Sequence, residues 1–170
     1  MSISSVREYF RKLGIEDKVM EFDVSSATVE LAAAALGCEG QRIGKTMAFI
    51  VYDRPILIVV AGDARIANPK FKGRFHTKAR MIDPDRLDEL VGHEMGGVCP
   101  FAIREGVEVY LDESLKRFQT VFPAAGSANS AIELSLPELE RYAHAEGWVD
   151  VCKGWEYQFP ATVSSARARQ

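Results

Sequence analysis

Residues 43–62, IGKTMAFIVYDRPILIVVAG, decide the fold class. Two apolar runs, 46–53 and 56–62, each have the length of a strand, and Arg54-Pro55 between them predicts a tight connection and an antiparallel hairpin. Neither run alternates cleanly between apolar and polar residues. Their near-continuous hydrophobicity predicts strands buried on both faces. Both runs also fall far short of the ~18 apolar residues that a membrane span requires.

Towards the N-terminus, Ser4 or Ser5 can cap a helix whose apolar face is Val6, Tyr9, Phe10 and Leu13, with Gly14 ending it. A second helix is predicted from about residue 26 through the Ala-rich stretch 31–36 to Gly37. Beyond the hairpin, Asn68-Pro69 and Asp83-Pro84 each place a capping residue before a proline. They predict helices to about Phe75 and through Val91, with a short strand at 78–82 between them. A Gly-rich loop at 92–100 precedes strands at 101–104 and 107–111, the latter alternating Val107, Val109 and Leu111 with Glu108 and Tyr110. Two more strands, 118–122 and 131–134, are joined across Gly126-Ser127-Ala128-Asn129. Ser135-Leu136-Pro137-Glu138 is a capping box for a last helix to about residue 146.

Short strands interleaved with short helices predict an α+β fold built on a mixed, strongly curled sheet. Residues 1–155 are expected to form one domain. Residues 156–170, low in apolar side chains, are expected to be a flexible tail.

The chain has 170 residues and is 47% hydrophobic, which suffices for a core without disulfides or metal. Its 21 Lys+Arg against 24 Asp+Glu leave a net charge of −3, so no overall basic excess marks a protein that coats nucleic acid. A local patch can still steer RNA. Cys38, Cys99 and Cys152 form no CxxC, and His76, His93 and His144 form no HExxH. No metal or other cofactor is expected, and a reducing compartment is the default. The N-terminus has no apolar signal core, so a cytoplasmic location without membrane association is expected.

Five features can carry chemistry. Lys45, at the mouth of an apolar strand, can anchor a phosphate or carboxyl group or stabilise charge developing on an ester. The plainer reading is a lysine snorkelling from a strand end. Gly96-Gly97-Val98-Cys99-Pro100 is a GxxxP loop: its glycines permit close backbone approach and its proline fixes the turn. The remaining N–H groups can then converge on one oxygen, as an oxyanion hole requires. An ordinary helix-to-strand turn would have the same composition. Cys99, with His93 six residues earlier, could form a nucleophile pair, and Ser127 and Ser130 raise the same question.

The basic stretch 65–80 contains Lys70, Lys72 and Arg74 over interleaved Phe71 and Phe75. It is either an RNA footprint or a solvated helix face. Asp112 ends a strand, where it could act as acid or base or cap the following turn. No triad emerges from the residues alone.

Several separated pieces together resemble one family. Gly44-Lys45-Thr46 opens an apolar strand and Val60-Ala61-Gly62-Asp63 closes the next. Gly92-His93-x2-Gly96-Gly97-Val98-Cys99-Pro100-Phe101 follows, then Tyr110-Leu111-Asp112-Glu113-Ser114-Leu115 and Ala125-Gly126-Ser127. In this order, across residues 6–145, they are similar to the YbaK/EbsC proteins, which share a fold with the editing domain of bacterial prolyl-tRNA synthetase.

The resemblance implies a barrel-like sheet with flanking helices. It also implies hydrolysis of the ester that joins a wrongly attached small amino acid, of the Ala, Cys or Ser type, to the 3′ end of a tRNA, with tRNA-Pro one candidate. The expected partners are that aminoacylated tRNA end and an aminoacyl-tRNA synthetase, with no DNA. By the resemblance Lys45 and the loop 96–100 are the catalytic elements, and Thr28, Asp112, Gly126 and Ser127 line or support the substrate pocket. The segment Ser25-Ser26-Ala27-Thr28 matches no particular substrate class. An aminoacyl ester is already activated, so an oxyanion loop and a positioned water suffice without a protein nucleophile. The competing expectations are a module that binds a tRNA end or amino acid without turnover, and a hydrolase that uses Cys99.

Overall fold

The hairpin read from residues 43–62 forms the centre of the protein. In the computed structural model, which describes residues 2–156, β2 (Ile43–Val51) and β3 (Arg54–Ala61) pair antiparallel from Gly44↔Ala61 to Val51↔Arg54. The expected tail beyond Glu156 lies outside the described residues. The connection is Tyr52-Asp53, with φ of 50° and 66°, a two-residue turn of the kind that matches strand twist. Arg54-Pro55 therefore does not make the turn, as the sequence had suggested, but lies inside β3. Proline is tolerated there because Val51↔Arg54 is the hydrogen-bonded pair that closes the loop. The main chain of residue 55 consequently faces away from β2. On that side β3 meets β5 only from Ile56 onward.

The remaining elements, in chain order around the hairpin, are α1 (Ser2–Lys12), β1 (Val19–Glu21), α2 (Val29–Leu36), β4 (Arg65–Ile66), α3 (Asn68–Phe75) and α4 (Leu87–Leu90). They continue with β5 (Glu108–Asp112), β6 (Thr120–Pro123), β7 (Ser130–Ile132), β8 (Leu134–Ser135), α5 (Leu136–Tyr142), β9 (Gly147–Val149) and β10 (Cys152–Lys153). The main sheet runs β8-β6-β2-β3-β5-β9; β1 pairs with β7 and β4 with β10. Parallel pairs (β2/β6, β3/β5, β5/β9) and antiparallel pairs make it the mixed sheet of an α+β fold.

Leu57 to Val60 are wholly buried, so both faces of β3 are covered. From α1, Phe10 packs on Phe101 with ring centroids 4.9 Å apart; from α3, Phe71 packs on Phe49 at 5.0 Å. Burying four aromatic rings of this size contributes several kcal/mol in total.

Several boundaries differ from the sequence expectation. Helix α1 starts at Ser2, so Ser4 and Ser5 lie within its first turns and do not cap it. Helix α2 starts at Val29, capped by Thr28, whose hydroxyl oxygen accepts from the Leu31 N–H at 3.2 Å. Asn68 is the first residue of α3 and Ala67 precedes it, so the proline alone organises that start. Asp83-Pro84 opens a 3-10 turn (Pro84–Arg86) before the short α4, and Asp83 makes no side-chain cap.

The strands expected at 78–82 and 101–104 are absent; the first reduces to the bridge Phe49↔Met81. Strand β5 is buried from Val109 through Asp112, so Tyr110 is covered despite the alternating pattern. The segments flanking residues 126–129 do not pair as a hairpin: β6 joins the main sheet and β7 joins β1, with the bridge Ala124↔Ala131 between them. The capping box forms as read, with the Ser135 N–H donating to Glu138 Oε1 at 2.9 Å and the Glu138 N–H to Ser135 Oγ at 3.2 Å. Its helix stops at Tyr142, because Gly147–Val149 pairs with β5.

Candidate active site

The main sheet has a gap along the outer edge of β2. Strand β6 covers only Ile43 and Gly44. Further along, the Ile82 N–H donates to the Ala48 carbonyl at 3.0 Å, and the Ile50 N–H donates to the Arg80 carbonyl at 2.9 Å. Between these two partners, residues 45–47 have no neighbouring strand. A cavity of about 410 Å³ opens there, a volume within the range of small-molecule sites. Its floor is the β2 edge, and its walls come from α2 and the chain before it, from Met81 to Leu87, from the glycine loop, and from Phe122 and Ala131. The lining is mostly apolar, with exposed Met81 and Met95 among the wall residues.

Lys45 belongs to the cavity wall, and its ammonium donates to the Ala64 carbonyl at 3.1 Å. The ion pair between Arg117 and Asp63, 2.6 Å at its shorter contact, holds the neighbouring turn in place. Of the loop residues, Gly96 and Val98 reach the cavity, while Gly97, Cys99 and Pro100 are buried behind it. The Gly97 N–H is already committed to the Glu94 carbonyl at 3.0 Å, so it is not available to an incoming oxygen. The Val98 and Cys99 N–H groups have no acceptor among the described residues.

The loop keeps its shape by backbone contact. A side-chain carbon at Gly97 would stand 2.8 Å from backbone atoms of Gly126 and Ser127. Gly126 has φ of +102°, and a Cβ there would lie 2.7 Å from the Ser2 carbonyl oxygen. Gly126 and Ser127 therefore support the loop from behind and are not in the cavity wall. The Ser127 hydroxyl is spent on Asn129 Oδ1 at 2.9 Å and on Ser130 Oγ at 2.7 Å.

Asp112 is fully buried and does not reach the cavity either. Its carboxylate accepts from the Ser114 N–H and the Val151 N–H, both at 2.9 Å, so it caps the turn after β5 and ties it to the chain before β10. Thr28 lines the cavity, with its hydroxyl oxygen serving α2 as described.

Cys99 and His93 do meet: Sγ stands 3.5 Å from Nε2. Nε2 is also 2.7 Å from the Phe101 carbonyl, an acceptor, so this nitrogen carries the proton and cannot take one from the thiol. Burial pushes the Cys99 thiol up to about 12, and burial lowers the His93 imidazole below its ordinary value. The pair is a buried neutral brace for the loop, and a thiolate nucleophile is not built here.

The basic stretch is less available than its sequence suggests. Lys70 forms ion pairs with Asp150 at 3.0 Å and Glu156 at 3.6 Å and also donates to the Cys152 carbonyl. Arg74 lies over the rings of Phe75 and Tyr110, 5.0 and 5.3 Å from their centroids. Lys72 is exposed. Phe71 and Phe75 are buried beneath this face, as their spacing predicted.

Two wall residues lie in motifs quoted from the sequence but were given no role there. Ser26 and Thr46 line the cavity, and both carry a buried hydroxyl with no partner among the described residues. The available signal for Thr46 was a polar residue at the head of an otherwise apolar strand.

A curled mixed sheet with a cavity set in an edge gap, walled by a lysine and a glycine loop, makes a candidate small-ligand site. Residues 24–142 match the model of the aminoacyl-tRNA editing domain, and the chain belongs to that family. It is 54% identical to the uncharacterized protein YwhH of Bacillus subtilis (strain 168), over 92% of this chain and all of that one. It is also 23% identical, over 73% of its length, to the proline–tRNA ligase of Lactiplantibacillus plantarum, spanning only 22% of that longer protein. A solved chain described as a candidate trans-editing enzyme for prolyl-tRNA synthetase superposes with a TM-score of 0.81 at 28% identity, covering 90% of this chain and 98% of that one. The hypothetical protein APE2540 superposes at 0.77 with 26% identity, over 88% and 99%. Among the described residues no helix is long and apolar enough to cross a membrane.

Proposed function

We propose that this protein is a deacylase acting in trans on mischarged tRNA, and that residues 1–155 work as one editing domain. The observation that carries this reading is the placing of Lys45, Gly96 and Val98 in the wall of one cavity of about 410 Å³. Water adds to the acyl carbonyl carbon, the ester C–O bond to the terminal ribose breaks, and the water's second proton passes to the ribose oxygen. The products are a free amino acid and an uncharged tRNA. The Val98 N–H, with the Cys99 N–H behind it, is the donor set for the developing oxyanion; one such donor is typically worth about 10²–10³ in rate. Lys45 orients the acylated ribose or its phosphate. Small amino acids are favoured because selection by size in an apolar pocket is worth only about 1–3 kcal/mol per methylene and works best by excluding larger side chains. A separate aminoacyl-tRNA synthetase is the natural supplier of such a substrate.

The test is deacylation of tRNAs charged with Ala, Ser, Cys, Thr and Pro by wild type and by Lys45→Ala. Hydrolysis of one or two small esters that is lost in the variant supports the reading and names the substrate. Binding of charged tRNA without turnover of any ester would replace it with a binding module, and undiminished turnover by Lys45→Ala would remove the role given to that lysine.

A further inference from the structure

The register of the central hairpin determines where each β2 main-chain group points. The two-residue turn makes Val51↔Arg54 a hydrogen-bonded pair, and alternate pairs follow it, so Phe49, Met47 and Lys45 spend their N–H and C=O groups on β3. Ile50, Ala48, Thr46 and Gly44 point the other way. Three of these four find partners: Ile50 with Arg80, Ala48 with Ile82, and Gly44 with β6. Thr46 alone faces the gap. Its N–H and C=O have no partner among the described residues, and its Oγ1 is buried and unpaired as well. Thr46 is half-buried, with its hydroxyl buried and its main-chain groups facing a mostly apolar cavity, so a ligand that displaces water there must bring both a donor and an acceptor.

An α-amino acid ester carries the complement. The amino nitrogen and the acyl carbonyl flank one α-carbon, as the N–H and C=O of a strand residue do. In an antiparallel hydrogen-bonded pair, two residues exchange both bonds through those groups. We infer that the aminoacyl group docks on Thr46 as a single-residue strand that fills the break in the sheet: the Thr46 carbonyl accepts from the α-ammonium, and the Thr46 N–H donates to the acyl oxygen alongside the Val98 N–H from the facing wall. This rests on the deacylase reading and specifies its substrate as an ester with a free α-amino group. Two hydrogen bonds to one α-carbon also fix which way its side chain projects. The L- and D-forms then project their side chains to opposite sides of the β2 edge, as residues of a hydrogen-bonded strand pair do.

The experiment compares tRNA carrying L-alanine, D-alanine or propionate, the last being alanine without its amino group. In parallel, the Thr46 backbone amide is followed by NMR during titration with L-alanine methyl ester or methyl propionate. The expected result is at least about tenfold lower kcat/KM for the propionyl ester, which leaves the Thr46 carbonyl without its donor, and a lower value for the D-alanyl ester, whose side chain projects in the opposite sense when both hydrogen bonds are kept. The Thr46 amide resonance should move with the alanine ester and not with methyl propionate. Thr46→Val, which keeps the main chain, should retain the preference for the amino group. Thr46→Pro, which removes an N–H that β3 does not use as well as the hydroxyl already absent from Thr46→Val, should slow alanyl ester hydrolysis further than Thr46→Val does, with folding checked by circular dichroism. Equal hydrolysis of alanyl and propionyl esters would overturn the inference while leaving the deacylase reading intact. Absence of all hydrolysis would count against the deacylase, and the NMR titration would then decide alone: an unmoved Thr46 amide overturns the docking mode.

Discussion

Gly97 passes so close to Ser127 that a side-chain carbon on Gly97 would stand 2.8 Å from the Ser127 Cα. The glycine loop and the segment after β6 are therefore pressed together by their backbones, and this contact sets how far Val98 projects into the cavity. The expected consequence is that Gly97→Ala destabilises the protein by about 1–3 kcal/mol, since the obstructing atoms are main chain and cannot swing aside. It should also lower deacylation beyond what the unfolded fraction explains. Urea unfolding alongside kcat, measured on the same preparation, checks both parts.

Cys99 should be chemically silent. Burial pushes its thiol up to about 12, so the thiol form dominates at neutral pH, and the side chain is wholly buried. Iodoacetamide at pH 7.5 should label half-buried Cys38 before Cys99, as read by peptide mass spectrometry. Cys99→Ala should keep turnover within a few-fold of wild type. A loss of a thousandfold would restore the thiol mechanism.

His93 gives the loop a pH dependence of known sign. Burial, the largest influence on it, lowers its pKa in the folded state. The unfolded chain therefore binds the proton more readily, and stability falls as pH drops below the ordinary histidine value of about 6.5 towards the lower folded value. Above that value its contribution is fully present. Urea midpoints measured from pH 5 to pH 7.5 should rise with pH in wild type, with a shallower rise in His93→Gln.

The ion pair of Arg117 with Asp63 is mostly covered, with side-chain exposures of 7% and 19%. It anchors the turn whose Ala64 carbonyl receives Lys45. Asp63→Asn should cost about 3–5 kcal/mol if the guanidinium stays buried, and less if it reaches water. KM for charged tRNA should rise as the lysine loses its fixed acceptor. Thermal unfolding and steady-state kinetics together check this.

On the cationic face, Lys70 is already paired inside the protein whereas Lys72 is exposed. If this face contacts RNA, Lys72→Ala should reduce the salt slope of tRNA binding by about 0.7–0.9, one phosphate contact, and Lys70→Ala should leave it nearly unchanged. Equal losses from both would mean that tRNA displaces Asp150 from Lys70.

Local signals in the chain determined what local physics can decide. Near-continuous hydrophobicity in the runs 46–53 and 56–62 predicted strands covered on both faces; this holds for β3, where Leu57 to Val60 are wholly buried, whereas β2 is half-exposed at residues 45–47, 50 and 51. Ser135 and Glu138 specified a helix start because both partners of the capping box lie within one turn. Phe71 and Phe75 indicated the buried face of α3 by their spacing. The order of the glycine, lysine and aspartate motifs pointed to the editing family.

Tertiary structure decided which of those residues can meet a ligand. Asp112 stands behind the cavity because its carboxylate takes the N–H of remote Val151, and Gly126 and Ser127 stand there because their backbone is packed against Ser2 and Gly97. Lys70 is engaged by Asp150, eighty residues away. Thr46 owes its open main-chain groups to strand β6 turning aside after Gly44 and to the segment at Arg80 joining only from Ala48 onward. No periodicity in the sequence marks such a gap, because it depends on where two remote segments stop pairing with a third.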